Sequence, residues 1–161
     1  MTTRQRRLTF TVSSLTVEGS VIVHNLGVFF DYNLDSKQHI SNICRTCYFH
    51  LRQLRTVRRS LPPDILETLL HAFVLCRLDY CNSLFAGLPA CDIARLQSVQ
   101  NTAARFFCGI SMFESVQPVL RDILHWLPVC ERITFKLALL TYKGLHVVTK
   151  SYLTDMLVPV A

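Results

Sequence analysis

The sequence predicts a mainly α-helical fold, in which a short N-terminal β-hairpin is followed by an array of five to six helices. Before residue 32, apolar and polar residues alternate as they do in strands, whereas after residue 35 apolar residues recur every three or four positions. Glycine and proline are also scarce, at 5 and 6 of 161 residues, so few positions interrupt a long helix.

The β segment is indicated by three apolar runs separated by a turn signal. Residues 8–12 alternate leucine, phenylalanine and valine with threonine, and Glu18-Gly19-Ser20 is typical of a turn. The runs at 21–23 and 26–30 are apolar and rich in β-branched or aromatic residues. Two or three strands follow from this pattern, and we assign residues 1–32 to the hairpin and 33–161 to the helical region.

The helical region is divided by proline and glycine. A first helix begins at Asp35 or Ser36 and ends near Ser60, before Pro62-Pro63. A second helix, over residues 64–85, is apolar nearly all round, which is typical of a central, buried helix. The later predicted helices are Ala90–Cys108 with Gly109 as its stop, about 115–127, about 129–145, and a last turn over 152–157.

The charge of the chain is concentrated in its first part. The net charge is +6, half of the residues are apolar and the mean hydropathy is +0.30. Residues 1–60 hold nine basic and three acidic residues, whereas residues 61–161 hold eight of each. Such a basic region attracts phosphate or an anionic membrane surface, although a solvated helix face is the other reading. The apolar composition predicts a surface that meets a partner.

Seven scattered cysteines predict reduced thiols and an intracellular location, nuclear or cytoplasmic. The spacing Cys44-x-x-Cys47 with His50 invites a zinc interpretation, but all three residues fall within one predicted helix, so buried, inert thiols are the preferred reading. We therefore predict no metal and no cofactor. No apolar run reaches the roughly 18–20 residues that a membrane span needs, so no membrane partner is predicted.

A row of arginines is the main candidate binding surface. On an ideal helix Arg45, Arg52, Arg55 and Arg59 fall within an arc of roughly 80°, beside the apolar stripe. Guanidinium groups in a row can follow a phosphate backbone, or they can be a solvated flank. Lys37, near the start of the same helix, is counted with them.

Two further sets of residues allow a functional and a structural reading. Gln97, Gln100 and Asn101 could contact bases or sugars, but hydrogen bonds between helices are the preferred explanation because a buried amide needs partners. The aromatic residues Trp126, Phe106 and Phe107 could stack bases, but aromatic residues at helical spacing more often belong to the core.

Several strings, in this order, resemble the region after the palm in LINE-type (non-LTR) retrotransposon reverse transcriptases. Together they cover about residues 21–157. The strings are LGVFFD at 26–31 followed by His39-Ile40, LDYCNSLFAGLP at 78–89, RLQSVQNTAAR at 95–105, LHWLP at 124–128 with Arg132, LLTYKGL at 139–145 and SYLTDML at 151–157.

The resemblance implies a place and a partner for this region. In that family the string at Leu26, Gly27 and Val28 ends the palm near the primer grip, and the following helices form the thumb and its C-terminal extension. The implied partner is an RNA–DNA hybrid or a DNA duplex, bound weakly and without sequence preference. A helical protein-interaction module, which docks a partner through exposed apolar surface, is the alternative.

The chain departs from the family in its chemistry. The family's palm holds two Mg²⁺ ions through a pair of adjacent aspartates and a further upstream aspartate, because two metals need clustered carboxylates. This sequence contains no Asp-Asp pair, and Asp79-Tyr80 falls inside the predicted buried helix. We therefore expect a non-catalytic fragment of an RNA-directed DNA polymerase, with no catalytic residues of its own.

Overall fold

A computed structural model describes residues 9–12, 15–18, 22–31 and 33–146. The turn predicted over residues 152–157, and the last of the strings that carry the resemblance, lie outside the described residues. The chain divides into two compact units, Met1–His39 and Ile40–Ala161.

The first unit contains four described strands in two antiparallel hairpins. Strand β1 (Thr9–Val12) pairs with β2 (Leu15–Glu18), and strand β3 (Ile22–Asn25) pairs with β4 (Val28–Asp31). The predicted N-terminal hairpin is confirmed, but β2 was not foreseen as a strand. Its Leu-Thr-Val-Glu sequence continues the same alternation of apolar and polar residues that predicted β1.

The second hairpin turns at Leu26 and Gly27, whose φ angles are +47° and +82°. A two-residue loop with both φ angles positive matches the right-handed twist of the flanking strands. The prediction of a strand beginning at Leu26 was therefore wrong, since β4 begins at Val28. Composition alone hides this turn, because leucine is unusual in the left-handed region and costs about 1 kcal/mol there.

Helix α1 (Lys37–Val57) lies close to where the sequence predicts it and continues into a 3₁₀ turn at Arg58–Ser60. Its start is held by Asp35, whose carboxylate accepts the Lys37 backbone N–H at 3.1 Å and pairs with the Lys37 ammonium at 2.8 Å. The hydrogen bond from the Lys37 side chain is the main cause that lowers the pKa of Asp35 to about 2.

The second predicted helix is shorter and less buried than expected. It consists of α2 (Pro63–Leu70), a π-helical turn at His71–Leu75 and α3 (Cys76–Asp79). The chain then becomes extended at Tyr80, so Asp79-Tyr80 closes the helix and does not lie inside it. The prediction of all-round burial was wrong, because one face is open to solvent, with exposed fractions of 45% for Ile65, 37% for Phe73 and 49% for Tyr80.

The last two long helices, α4 (Ala90–Cys108) and α5 (Val129–Leu145), have the predicted bounds. Between them residues 117–123 are helical, with a π-helical turn at Val119–Ile123, so the helix predicted at about 115–127 is present but shorter than predicted. The helix ends where the chain reverses locally: His125 has a φ of +52°, and the Trp126 backbone N–H donates to the Leu120 carbonyl at 2.7 Å.

Helix α4 is central to the core of the second unit. Its polar side chains meet α1 in sequence order, Arg95 at Ser41, then Ser98 at Tyr48, while Phe107 lies next to Arg58. The two helices therefore run parallel. The fully or nearly fully buried apolar residues of this unit include Ile40, Cys47, Leu70, Val74, Leu75, Leu78, Phe85, Leu96, Val99, Ala103 and Leu120.

Gly109 ends α4 as the sequence predicts, in a left-handed conformation with φ +70° and its N–H bonded to the Arg105 carbonyl at 2.8 Å. A Cβ there would make only ordinary contact with Arg58, so a substitution would be penalised by its backbone conformation. We expect Gly109→Ala to lower the free energy of unfolding by about 1 kcal/mol.

Thermal or urea unfolding measures this loss, and Gly109→Asn is the matched variant. Asparagine tolerates the left-handed region better than alanine, so its loss should be clearly smaller. Equal losses for the two variants would show that backbone conformation is not what Gly109 supplies.

Candidate nucleic-acid interface

The candidate interface is built on one exposed face of α1. Arg45, Arg52 and Arg55 lie on this helix and Arg59 in the 3₁₀ turn that follows, and all four side chains are exposed. We call these four residues the arginine row. From the first to the last it spans roughly 21 Å of helix axis. The neighbouring apolar stripe of α1 is buried, which fixes which side of the helix faces water.

The arginine row is not neutralised by the rest of the molecule. None of its four guanidinium groups forms an ion pair or a hydrogen bond with any residue that the structure describes. Four cationic groups on one face therefore present an uncompensated positive potential. A polyanion gains from such a surface both by direct pairing and by the release of its own counterions.

Two neighbouring cations behave differently from the row. Lys37 pairs with Asp35 in the first unit. Arg58 donates to the Phe107 carbonyl at 2.9 Å near the end of α4, and its guanidinium carbon lies 5.4 Å from the centre of the Phe106 ring. Arg58 is thus structural, although it stands beside Arg59 in the sequence.

Aromatic residues lie among the arginines, a feature that the sequence analysis missed. Tyr48 is 36% exposed and Phe49 is 49% exposed, and both fall between Arg45 and Arg52 along the helix. The Tyr48 hydroxyl lies 3.3 Å from the Ser98 hydroxyl of α4. The signal was available in the sequence, because residues three or four apart on a helix are surface neighbours.

The residues that resemble a primer grip lie in the first unit. Leu26 and Gly27 form the turn of the second hairpin, where Leu26 is 83% exposed. Val28 begins β4 and is 4% exposed.

The amide cluster of α4 joins this helix to the start of α5. Gln100 is fully buried, and its side-chain N–H donates to the Leu127 carbonyl at 2.8 Å. Gln97 donates to Gln100 at 3.0 Å and to Asn101 at 2.8 Å, and it accepts the Val129 backbone N–H at 2.8 Å. The structural reading of these amides is therefore confirmed.

The aromatic residues Trp126 and Phe106 belong to the core, with exposed fractions of 3% and 8%. The His71 ring meets Trp126 edge to face, with ring centres 5.5 Å apart. Phe107 is half-buried and packs against the same core. The core reading of these three residues is confirmed.

Arg132 and Asp79, both within or beside the strings that carry the resemblance, form an ion pair at 2.7 Å. Arg132 also donates to the Leu127 carbonyl at 2.8 Å. The pair borders an open cavity of about 310 Å³ that Asn82 and Lys136 also line. These contacts link α3 to α5 and give Asp79 a structural partner.

The cysteine pair on α1 is buried and protonated. Burial raises the pKa of the Cys47 thiol to about 12 and also raises that of Cys44. The His50 ring stacks on Phe73, with ring centres 4.9 Å apart. Zinc binds the thiolate, so this environment opposes a metal site. Within the described residues no group of three or more His, Cys, Asp or Glu side chains could hold a metal ion.

No match to this chain is found among protein-family models, curated proteins or solved structures. In the described part of the chain, no helix combines the length and the apolar character needed to cross a membrane.

Thiol labelling tests the cysteine environment. At pH 8 we expect iodoacetamide to modify the exposed Cys76, Cys91 and Cys130, while Cys44 and Cys47 stay unmodified. The rise in the pKa of Cys47 from 9.0 to about 12 lowers its thiolate fraction by on the order of a thousandfold. Peptide mass spectrometry measures the modification, and the same reaction in urea should label all seven cysteines. Rapid labelling of Cys47 in the folded chain would contradict its burial.

Replacing the buried amide tests the junction between α4 and α5. Gln100→Leu should lower the free energy of unfolding by about 1–2 kcal/mol, since the Leu127 carbonyl and Gln97 each lose one partner and keep another. Urea unfolding is the measurement. The control is Thr102→Ala on the same helix. Among the described residues the Thr102 hydroxyl bonds only to the Ser98 carbonyl, so this variant should lose no more than about 0.5 kcal/mol. A Gln100 variant as stable as the control would remove the amide from its proposed role.

Proposed function

We propose that this chain is a non-catalytic fragment of a LINE-type retrotransposon reverse transcriptase, and that its arginine row contacts the phosphate backbone of a template–primer duplex. The ordered strings over residues 21–157 support the family origin. The observation that carries the binding proposal is the arginine row itself, four exposed guanidinium groups on one face without an internal partner.

The dimensions of the arginine row suit a duplex. Its length of roughly 21 Å corresponds to about six base pairs at 3.4 Å each. Each guanidinium can donate two parallel hydrogen bonds to one phosphate, which favours arginine over lysine for this contact. Phosphate contacts carry no sequence information, so the proposed binding is weak and independent of sequence.

A helical protein-interaction module is the second candidate, and α5 is the observation that favours it. Several large apolar side chains of this helix are exposed to solvent, namely Phe135, Leu137, Leu140, Tyr142 and Leu145. Large apolar side chains exposed along one helix are candidates for contact with a protein partner. This candidate assigns the arginine row no role.

The proposed fragment is expected to be catalytically inert. We predict that the purified chain does not extend a primer on an RNA or DNA template with Mg²⁺ or Mn²⁺, because its sequence has no adjacent pair of aspartates for two metal ions. A gel-based extension assay is the measurement. Extension that survives repurification, and that a substitution in this chain abolishes, would contradict the prediction.

Salt dependence tests the arginine row directly. Each lost phosphate contact should lower the slope of log K against log salt by about 0.9 for a duplex. Replacing Arg45, Arg52, Arg55 and Arg59 together by Gln should therefore flatten the slope by up to about 3.6. Fluorescence anisotropy with a labelled RNA–DNA hybrid, across a salt series, provides the slopes.

The control removes charge elsewhere on the surface. Arg121, Lys136 and Lys143 are exposed and lie outside the arginine row, so their joint replacement by Gln should leave the slope nearly unchanged. Circular dichroism shows whether each variant retains its helices. An unchanged slope in a well-folded quadruple variant would exclude the row, and a wild-type chain without salt-dependent binding would favour the protein-interaction module.

A further inference from the structure

We propose that three neighbouring rings, those of the exposed Phe49 and Phe73 and of the half-buried His50 between them, form a stacking platform for the unpaired bases of a single-stranded nucleic acid. We call these three residues the ring cluster. The inference rests on the proposed function, because the arginine row would hold the phosphates of the same strand.

The ring cluster joins two separate elements of the second unit. Phe49 and His50 come from α1, and Phe73 comes from the π-helical turn after α2. The His50 ring stacks on Phe73 with centres 4.9 Å apart and an angle of 20° between planes, and Phe49 meets His50 edge to face at 5.5 Å. Since Phe49 is 49% exposed and Phe73 is 37% exposed, the cluster keeps aromatic surface open to solvent.

Cationic groups lie around the ring cluster. Arg45 and Arg52 stand four residues before and three residues after Phe49, so they are its neighbours on the surface of α1. Arg77 stands four residues after Phe73, and after burial its charge is the second cause that lowers the pKa of His50, which shows that it lies close to that ring. All three arginines are exposed and have no ion pair among the described residues.

Rings flanked by unpaired cations suit a single strand better than they suit a duplex or an apolar protein partner. An unpaired base exposes its flat faces to an aromatic ring, whereas a base inside a duplex shows only its edges. An apolar protein partner would bury the neighbouring guanidinium groups without a counter-charge, which is costly. The arrangement therefore matches an unpaired template or primer end next to a duplex held on the arginine row.

The experiment compares two strands with the same phosphates. Labelled oligonucleotides of about twelve nucleotides, one of thymidines and one of abasic sites, are titrated with the full chain by fluorescence anisotropy. Stacking adds affinity for every base it engages, so the wild-type chain should bind the thymidine strand about tenfold more tightly than the abasic strand. Phe49→Leu/Phe73→Leu should bring this ratio close to one and leave the affinity for the abasic strand nearly unchanged.

The control variant removes two other exposed rings, Phe113 and Phe135, by replacement with Leu, and should keep the tenfold ratio. Equal wild-type affinity for the two strands would overturn the stacking platform while leaving phosphate contact by the arginine row intact. Persistent discrimination in Phe49→Leu/Phe73→Leu would overturn the assignment to these rings. Failure to bind either strand would overturn the platform, whereas the salt series with the RNA–DNA hybrid decides the proposed function separately. The wild-type comparison stands even if the double variant does not fold.

Discussion

The buried amide of Gln100 is the contact on which the C-terminal half of the helical array depends. Through the Leu127 carbonyl it holds the loop that precedes α5, and through Gln97 it is connected to the first backbone N–H of that helix. The Gln100 amide is itself fully buried, so without these contacts it would lack partners, which is more costly than a lost surface hydrogen bond. Because α4 also packs against α2 and both π-helical turns, one helix organises most of the second unit.

The packing of the helices uses some of the cations and leaves others exposed. Arg58 bonds to the Phe107 carbonyl and Arg132 pairs with Asp79, so both hold helices together. The arginine row forms no ion pair or hydrogen bond with the described residues. Charge that the fold does not use for its own stability is available to a partner, and the exposed ring of Phe49 lies between Arg45 and Arg52 along the same helix.

The local signals in the sequence predicted the long helices well because each signal acts within a few residues. The apolar stripe of α1, Pro128 before α5 and Gly109 after α4 act through neighbouring backbone groups, and their positions match the structure. The shortened helix before Trp126 and the exposed face of α2 could not be predicted in this way. The first depends on a hydrogen bond from Trp126 to Leu120 in a stretch that no proline or glycine marks, and the second depends on which distant residues cover the helix.

The sequence by itself determined the mainly helical class, the order of the elements and the row of arginines on one helix, since periodicity and helix stops are local properties. Only the tertiary structure decided the uses of these residues. Arg58 and Arg59 are adjacent and chemically identical, yet Arg58 alone meets a carbonyl 49 residues away. The sequence does not show whether Gln100 or Phe49 is buried. In the structure Gln100 is buried in the core, whereas the ring of Phe49 is exposed to solvent. The physical reason is that burial depends on residues distant in sequence, which no local pattern contains.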